Sequence, residues 1–185
     1  MDSNPFPAGP RDPLLLSVRI IIICLMVVMG IAIGALAIGA PAVLFNQAEV
    51  LGELAKEGYT GDPARVIWGI AGVCLLAILP LALIFEFLRT LNAVIDTVAD
   101  GQPFAAANAA RLGRMAWLSL AVQAAAIPVG TLGFWLGQQF EKGKADVDID
   151  IGFSGSGVMM ALVLFILARV FRHGAAMREE LEGTV

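Results

Sequence analysis

Few residues in this chain could do chemistry, and no set of them is spaced to act together. Asp146, Asp148 and Asp150 alternate with apolar residues. On an extended segment that alternation puts three carboxylates on one face, and a hard cation such as calcium takes several oxygens. An EF-hand loop needs glycine at its sixth place and glutamate at its twelfth. Counted from Asp146, those places hold Ile151 and Gly157, so the segment reads as a solvated loop and not as a metal site. His173, the single histidine, stands beside Arg172 and fits a cationic cluster better than acid–base work. A haem or quinone carrier would need a histidine inside an apolar stretch, and none is there. In antiparallel spans, Cys24 and Cys74 would lie about 6 Å and about 18 Å from one membrane face. A disulfide needs Cα atoms within about 7 Å, so both read as small apolar side chains. No glycine-rich phosphate loop, histidine cluster or nucleophile–base pair is present. The expectation is a protein that is not an enzyme and carries no cofactor or metal.

The elements that hold these residues are plain to read. Four runs, 20–45, 66–85, 115–140 and 151–168, contain no charged residue and are 18 to 26 residues long. About 20 apolar residues carry a helix across a hydrocarbon core of about 30 Å. The chain is 58% hydrophobic and 15% charged, where a soluble domain has about 25% charged residues. The longest polar stretches, 46–65 and 86–114, are shorter than the roughly 50 residues of a small domain. A signal peptide has an apolar core of about 7–15 residues. The first run is far longer, and Ala35 and Ala37 read as packing residues. The fold expected is all-α: one integral membrane four-helix bundle. The net charge of −4, with no basic patch, argues against nucleic acid as a direct partner.

Arginine and lysine concentrate on the cytoplasmic side of membrane proteins. Arg11, Arg19, Arg89, Arg111, Arg114, Arg169, Arg172 and Arg178 lie in the two tails and the middle connection. Lys56, Arg65, Lys142 and Lys144 lie in the other two loops. With four spans, the first group marks the cytoplasmic side, so both termini are expected inside.

Residues 1–13 lack an apolar period and read as a tail, with Pro13 suited to open the first helix. Gly30 and Gly34 share one helix face, a spacing that lets another helix approach closely in lipid. That face serves either packing within the chain or a homo-oligomer. In 46–57, Val50, Leu51 and Leu54 recur at helical spacing opposite acidic residues, as in a short interfacial helix. Gly58, Gly61 and Pro63 then make a turn. Beyond 85 the helical pattern persists, with Leu88, Leu91, Ile95 and Val98 as one stripe, so a helix is expected from 66 to 99. Pro80 would kink it, and Asp100-Gly101 would end it with a left-handed cap. Pro103 and Phe104 follow, and a return helix passes Asn108, Arg111, Leu112 and Met115 into the third run. Residues 86–114 thus form a cytoplasmic helical hairpin extending spans two and three, its stripe covered by Phe104, Ala107 and Leu112 or by the membrane surface. Gln123, Thr131, Gly130, Gly133 and Gly137 mark the third run. Gln123 either binds helices together or lines a path. Ser154-Gly155-Ser156-Gly157 leads into the last helix.

Two segments resemble a known family. One is Gly101-Gln102-Pro103-Phe104 with Asn108 and Arg111-Leu112. The other is Leu164-Phe165-Ile166-Leu167-Ala168-Arg169-Val170-Phe171-Arg172-His173-Gly174, leading through Glu179-Glu180 to Thr184-Val185. With four spans and this length, the chain is similar to the bacterial four-pass membrane family DUF2975. One departure is Gly183, where members more often carry an acidic residue and leucine before Thr-Val. The resemblance implies an inner-membrane protein without an established activity. Members are often encoded beside a small helix-turn-helix regulator, which implies a component that senses something or holds a cytoplasmic partner.

No ionisable residue lies inside the runs, which argues against ion-coupled transport. The function expected is a sensory or scaffold protein. Pro103, Phe104, Asn108, Arg111, Leu112, Arg172, Thr184 and Val185 would form its surface for a cytoplasmic regulator. Arg111, Arg114, Arg169 and Arg172 would face lipid phosphates. Gly30, Gly34, Gln123, Gly133 and Gly137 would pack helices. The alternative is a small permease or channel-like subunit using Gln123, Thr131 and the glycine faces.

Overall fold

In hydrocarbon a backbone must satisfy its own hydrogen bonds, which leaves the helix as the natural state of each long apolar run. A computed structural model describes residues 13–56, 61–140 and 155–182. These form α1 (Pro13–Phe45), α2 (Gln47–Lys56), α3 (Pro63–Ala99), α4 (Ala106–Phe140) and α5 (Gly155–Glu182), with no strand among the described residues. Four of the helices hold stretches long and apolar enough to cross a membrane: Leu15–Phe45, Pro63–Ala99, Ala106–Gln139 and Gly155–Arg178. Ile20, Ile21, Val27, Ile31 and Ile38 on α1 are each more than half exposed. Water would penalise that much bare aliphatic surface, whereas lipid tails are as apolar as the side chains themselves. The architecture is that of an all-α, multi-pass membrane protein.

Short-range chemistry sets the helix ends. Asn46 closes α1, its backbone N–H and Nδ2 both donating to the Ala42 carbonyl at 2.9 and 3.1 Å. Its own carbonyl accepts from Glu49 and Val50 and so opens α2, where Leu54 is buried. Asp62 caps α3 by accepting the Ala64 N–H at 3.1 Å, with Pro63 first in the helix, where a missing N–H costs nothing. At the far end of α3, Gln102 N–H bonds the Thr97 carbonyl and Gly101 N–H the Val98 carbonyl, each at 3.0 Å. Gly101 has φ 73°. That is a Schellman cap, and it needs a residue without Cβ at the left-handed position. Pro41, Pro80 and Pro128 lie inside α1, α3 and α4, while α5 has no internal proline.

The chain divides into two compact units. The first comprises Met1–Val28, Ile84–Leu120 and Ser156–Val185. Its core is Leu112, Met115 and Ala116 of α4 against Leu164 and Ala168 of α5, with Phe87, Leu91, Val94, Phe165 and Phe171 packed on it. The second comprises Met29–Leu83 and Ala121–Gly155. There α3 and α4 approach closely at Gly69 and Gly72. A Cβ on Gly69 would come within 2.9 Å of Leu136 and 3.1 Å of Trp135, and one on Gly72 within 3.1 Å of Leu132.

The last helix continues past the apolar run and past Gly174 to Glu182. Residues 169–182 are rich in Ala, Arg, Met, Glu and Leu and contain no proline, so leaving the apolar run is no reason to leave the helix. On α3, Phe87, Leu91 and Val94 pack on this core, and of the expected stripe Leu88, Leu91 and Ile95 are half-buried while Val98 is exposed. The tail 1–12, Gly58, the acidic stretch 146–150, the start of the fourth run at 151–154, and Thr184 and Val185 lie outside the described residues.

Candidate functional site

The densest polar chemistry in the chain sits where α3 turns into α4. Asn108, in the first turn of α4, is wholly buried. Its Nδ2 donates to the Pro103 carbonyl at 3.0 Å, and its Oδ1 accepts from Arg111 Nη1 at 3.0 Å. Arginine can only donate, so the amide oxygen must face it, and that sets the orientation of the amide. The same Arg111 nitrogen donates to the Ala93 carbonyl of α3 at 2.9 Å. The Thr97 hydroxyl lies 2.7 Å from the Val94 carbonyl and 2.9 Å from Asn108 Oδ1, its one proton serving one of them at a time. A buried amide joined on all sides locks the angle between two helices, since any slip leaves a polar atom unpaired in an apolar site.

Around this corner lie exposed ion pairs. Arg114 reaches Glu86 at 2.8 Å, Arg89 reaches the same carboxylate at 3.4 Å, and Arg19 reaches Asp96 at 3.5 Å. Of the arginines expected to face lipid phosphates, Arg111 is taken up by a helix carbonyl and the buried amide, and Arg114 pairs with a carboxylate while its side chain stays 63% exposed. Arg169 and Arg172 remain exposed on α5.

Phe104 does something the sequence does not reveal. Its ring stands 5.3 Å from that of Phe171 at 40° and lies over Gly174, where a Cβ would come within 3.0 Å of it. The corner is thereby clasped onto the extension of α5, and the two segments that carry the family resemblance meet. Leu112 is in the core. Phe104 keeps 45% of its surface exposed and Met177 50%. They border a groove of about 750 Å³ together with Ile166, Val170 and His173. Ser119, which the sequence does not single out, ties α4 to the start of α5 by donating to the Gly157 carbonyl at 3.0 Å.

The glycines expected to pack helices behave differently. A Cβ on Gly30, Gly34 or Gly133 would meet nothing within 4 Å among the described residues. Close packing within the chain falls instead to Gly69 and Gly72, because a GxxxG spacing creates a groove without supplying the helix to fill it. Gly137 and Gln123 are half-buried on α4. The Thr131 hydroxyl donates to the Ile127 carbonyl of its own helix at 2.9 Å. Cys24 and Cys74 are free thiols. Among the described residues no three His, Cys, Asp or Glu gather around a point that could hold a metal ion.

No curated protein and no solved structure matches the chain. The family described as protein of unknown function, DUF2975, matches residues 43–185, a span that takes in the α3–α4 corner and all of α5, and the chain belongs to that family.

Proposed function

We propose that the chain is a non-enzymatic sensory or scaffold protein of the bacterial inner membrane. Both termini and the hairpin 86–114 lie in the cytoplasm, and the hairpin turn with the extension of α5 holds a cytoplasmic partner protein. One observation carries this reading. The buried Asn108 network makes the corner rigid, yet the corner presents Phe104 and Met177 half-exposed beside the apolar groove they border. A rigid base bearing exposed large apolar side chains is the arrangement of an interface, where preorganisation lowers the cost of ordering on binding. The small helix-turn-helix regulator implied by the family resemblance is the first partner to test.

The test places a photo-crosslinking residue at Met177 in the full chain in cells, in wild-type and Phe104→Ala backgrounds. The expected result is one cytoplasmic protein, the regulator, captured in the first background and lost in the second. Identical capture in both backgrounds, and in a chain truncated after Arg172 with the crosslinker moved to Val170, overturns the partner surface. A reporter fused at Val185 that is active only outside the cytoplasm overturns the orientation.

A further inference from the structure

A second groove of about 680 Å³ is lined by residues of α4 and α5 and shares Arg169 and His173 with the groove beside Phe104, and its two ends differ in chemistry. Trp117 and Phe165 wall one end, in edge-to-face contact with centroids 5.5 Å apart. Arg169, Arg172 and His173 rim the other. Gly113 leaves a gap beside them, since a Cβ there would meet nothing within 4 Å among the described residues. The order along the helices matters. Trp117 lies one turn inside the third apolar run from Arg114, and Phe165 lies one turn inside the fourth from Arg169. Aromatic walls followed about 6 Å later by cations repeat the order of acyl chain and headgroup at a membrane face.

The two rim arginines also stand apart from the rest. Every other described arginine has a polar partner: Arg19, Arg65, Arg89 and Arg114 a carboxylate, Arg111 a carbonyl and an amide, and Arg178 a partner of its own. Arg169 and Arg172 have none among the described residues. A guanidinium has donors in a fork that suits phosphate. Two of them left unpaired at the lip of an apolar groove complement an anionic amphiphile.

We propose that this groove seats one anionic phospholipid, with its phosphate on Arg169 and Arg172, His173 beside it, and an acyl chain against Trp117 and Phe165. The proposal rests on the membrane-spanning reading of α4 and α5, and its test needs no cytoplasmic partner, although Arg169 and His173 also border the groove beside Phe104. The test uses Trp117 as its own reporter. In the full chain with Trp68→Phe and Trp135→Phe, reconstituted in phosphatidylcholine vesicles, Trp117 fluorescence is quenched by brominated phosphatidylglycerol or brominated phosphatidylcholine at equal mole fraction. The expected result is stronger quenching by the anionic lipid, with the preference falling about five-fold for each arginine removed, so that Arg169→Gln with Arg172→Gln quenches equally with both lipids. Arg169→Lys with Arg172→Lys keeps the charge without the fork and is expected to fall between the parent and the glutamine pair. Equal quenching in the parent chain or an undiminished preference in the glutamine pair overturns the seat. So does displacement by inorganic phosphate, which would mark a site for free anion. Quenching by neither brominated lipid would instead overturn the membrane placement of Trp117.

Discussion

Helices α3 and α4 are held together in two ways at two places. At the corner, Asn108, Arg111 and Thr97 join them by directed hydrogen bonds to side chains and to the Ala93 carbonyl. At Gly69 and Gly72 they are held by shape, the absent Cβ atoms admitting Leu132, Trp135 and Leu136. On the proposed placement, with the corner at the cytoplasmic face and Gly69 and Gly72 inside the bilayer, the difference follows the solvent. Next to water and headgroups, apolar contact alone fixes no register, and a satisfied buried amide does. Within hydrocarbon there is no hydrophobic gain in pairing, and close van der Waals fit is what remains.

That contrast can be broken from either side, with melting of the detergent-solubilised chain as the common measurement. Asn108→Leu takes from Arg111 one of its two acceptors and from the Pro103 carbonyl its side-chain donor, and the loss is expected to be about 3 kcal/mol, since two hydrogen bonds to a buried amide go at once. Gly69→Leu forces the second contact apart and is expected to cost about 2 kcal/mol by overpacking. Gly174→Ala presses on the Phe104 ring and is expected to cost about 1 kcal/mol. The cost should shrink in a Phe104→Leu background, so that the double-mutant cycle reports the clasp directly. Arg114→Gln removes an exposed ion pair and should change stability by less than about 1 kcal/mol. Gly34→Ala should cost nothing in the single chain, because its Cβ enters open space. A drop there would place an unseen helix on that face.

The sequence and the structure agree where local chemistry decides. The uncharged runs announce the spanning helices. Asp100-Gly101 announces the end of α3, and the structure puts Gly101 in the left-handed region. Asn108 is visible as a candidate through the family resemblance and because an amide at the start of a helix can cap or orient it. Its partners are not visible, since Thr97 and the Ala93 carbonyl come within reach only once the register of α3 against α4 is set. Glycine spacing likewise says which residues share a face and not whether a neighbour arrives. Gly30 and Gly34 have the motif and meet no neighbour among the described residues, while Gly69 and Gly72 lack it and carry a contact. The match of Phe104 to Gly174 lies beyond reading from either segment alone, because neither contains the other's shape.

The last helix is the one long helix without a proline inside it. Over Gly155–Glu182 it is a stiff rod of about 42 Å, with greasy residues at one end and charged ones at the other. A thinner or thicker bilayer tilts such a rod as a single piece, and a tilt of about 10° around its midpoint carries the far tip by about 4 Å. Phe104 lies against that rod and would be dragged along, so a change in lipid thickness would arrive at the turn as a lateral displacement.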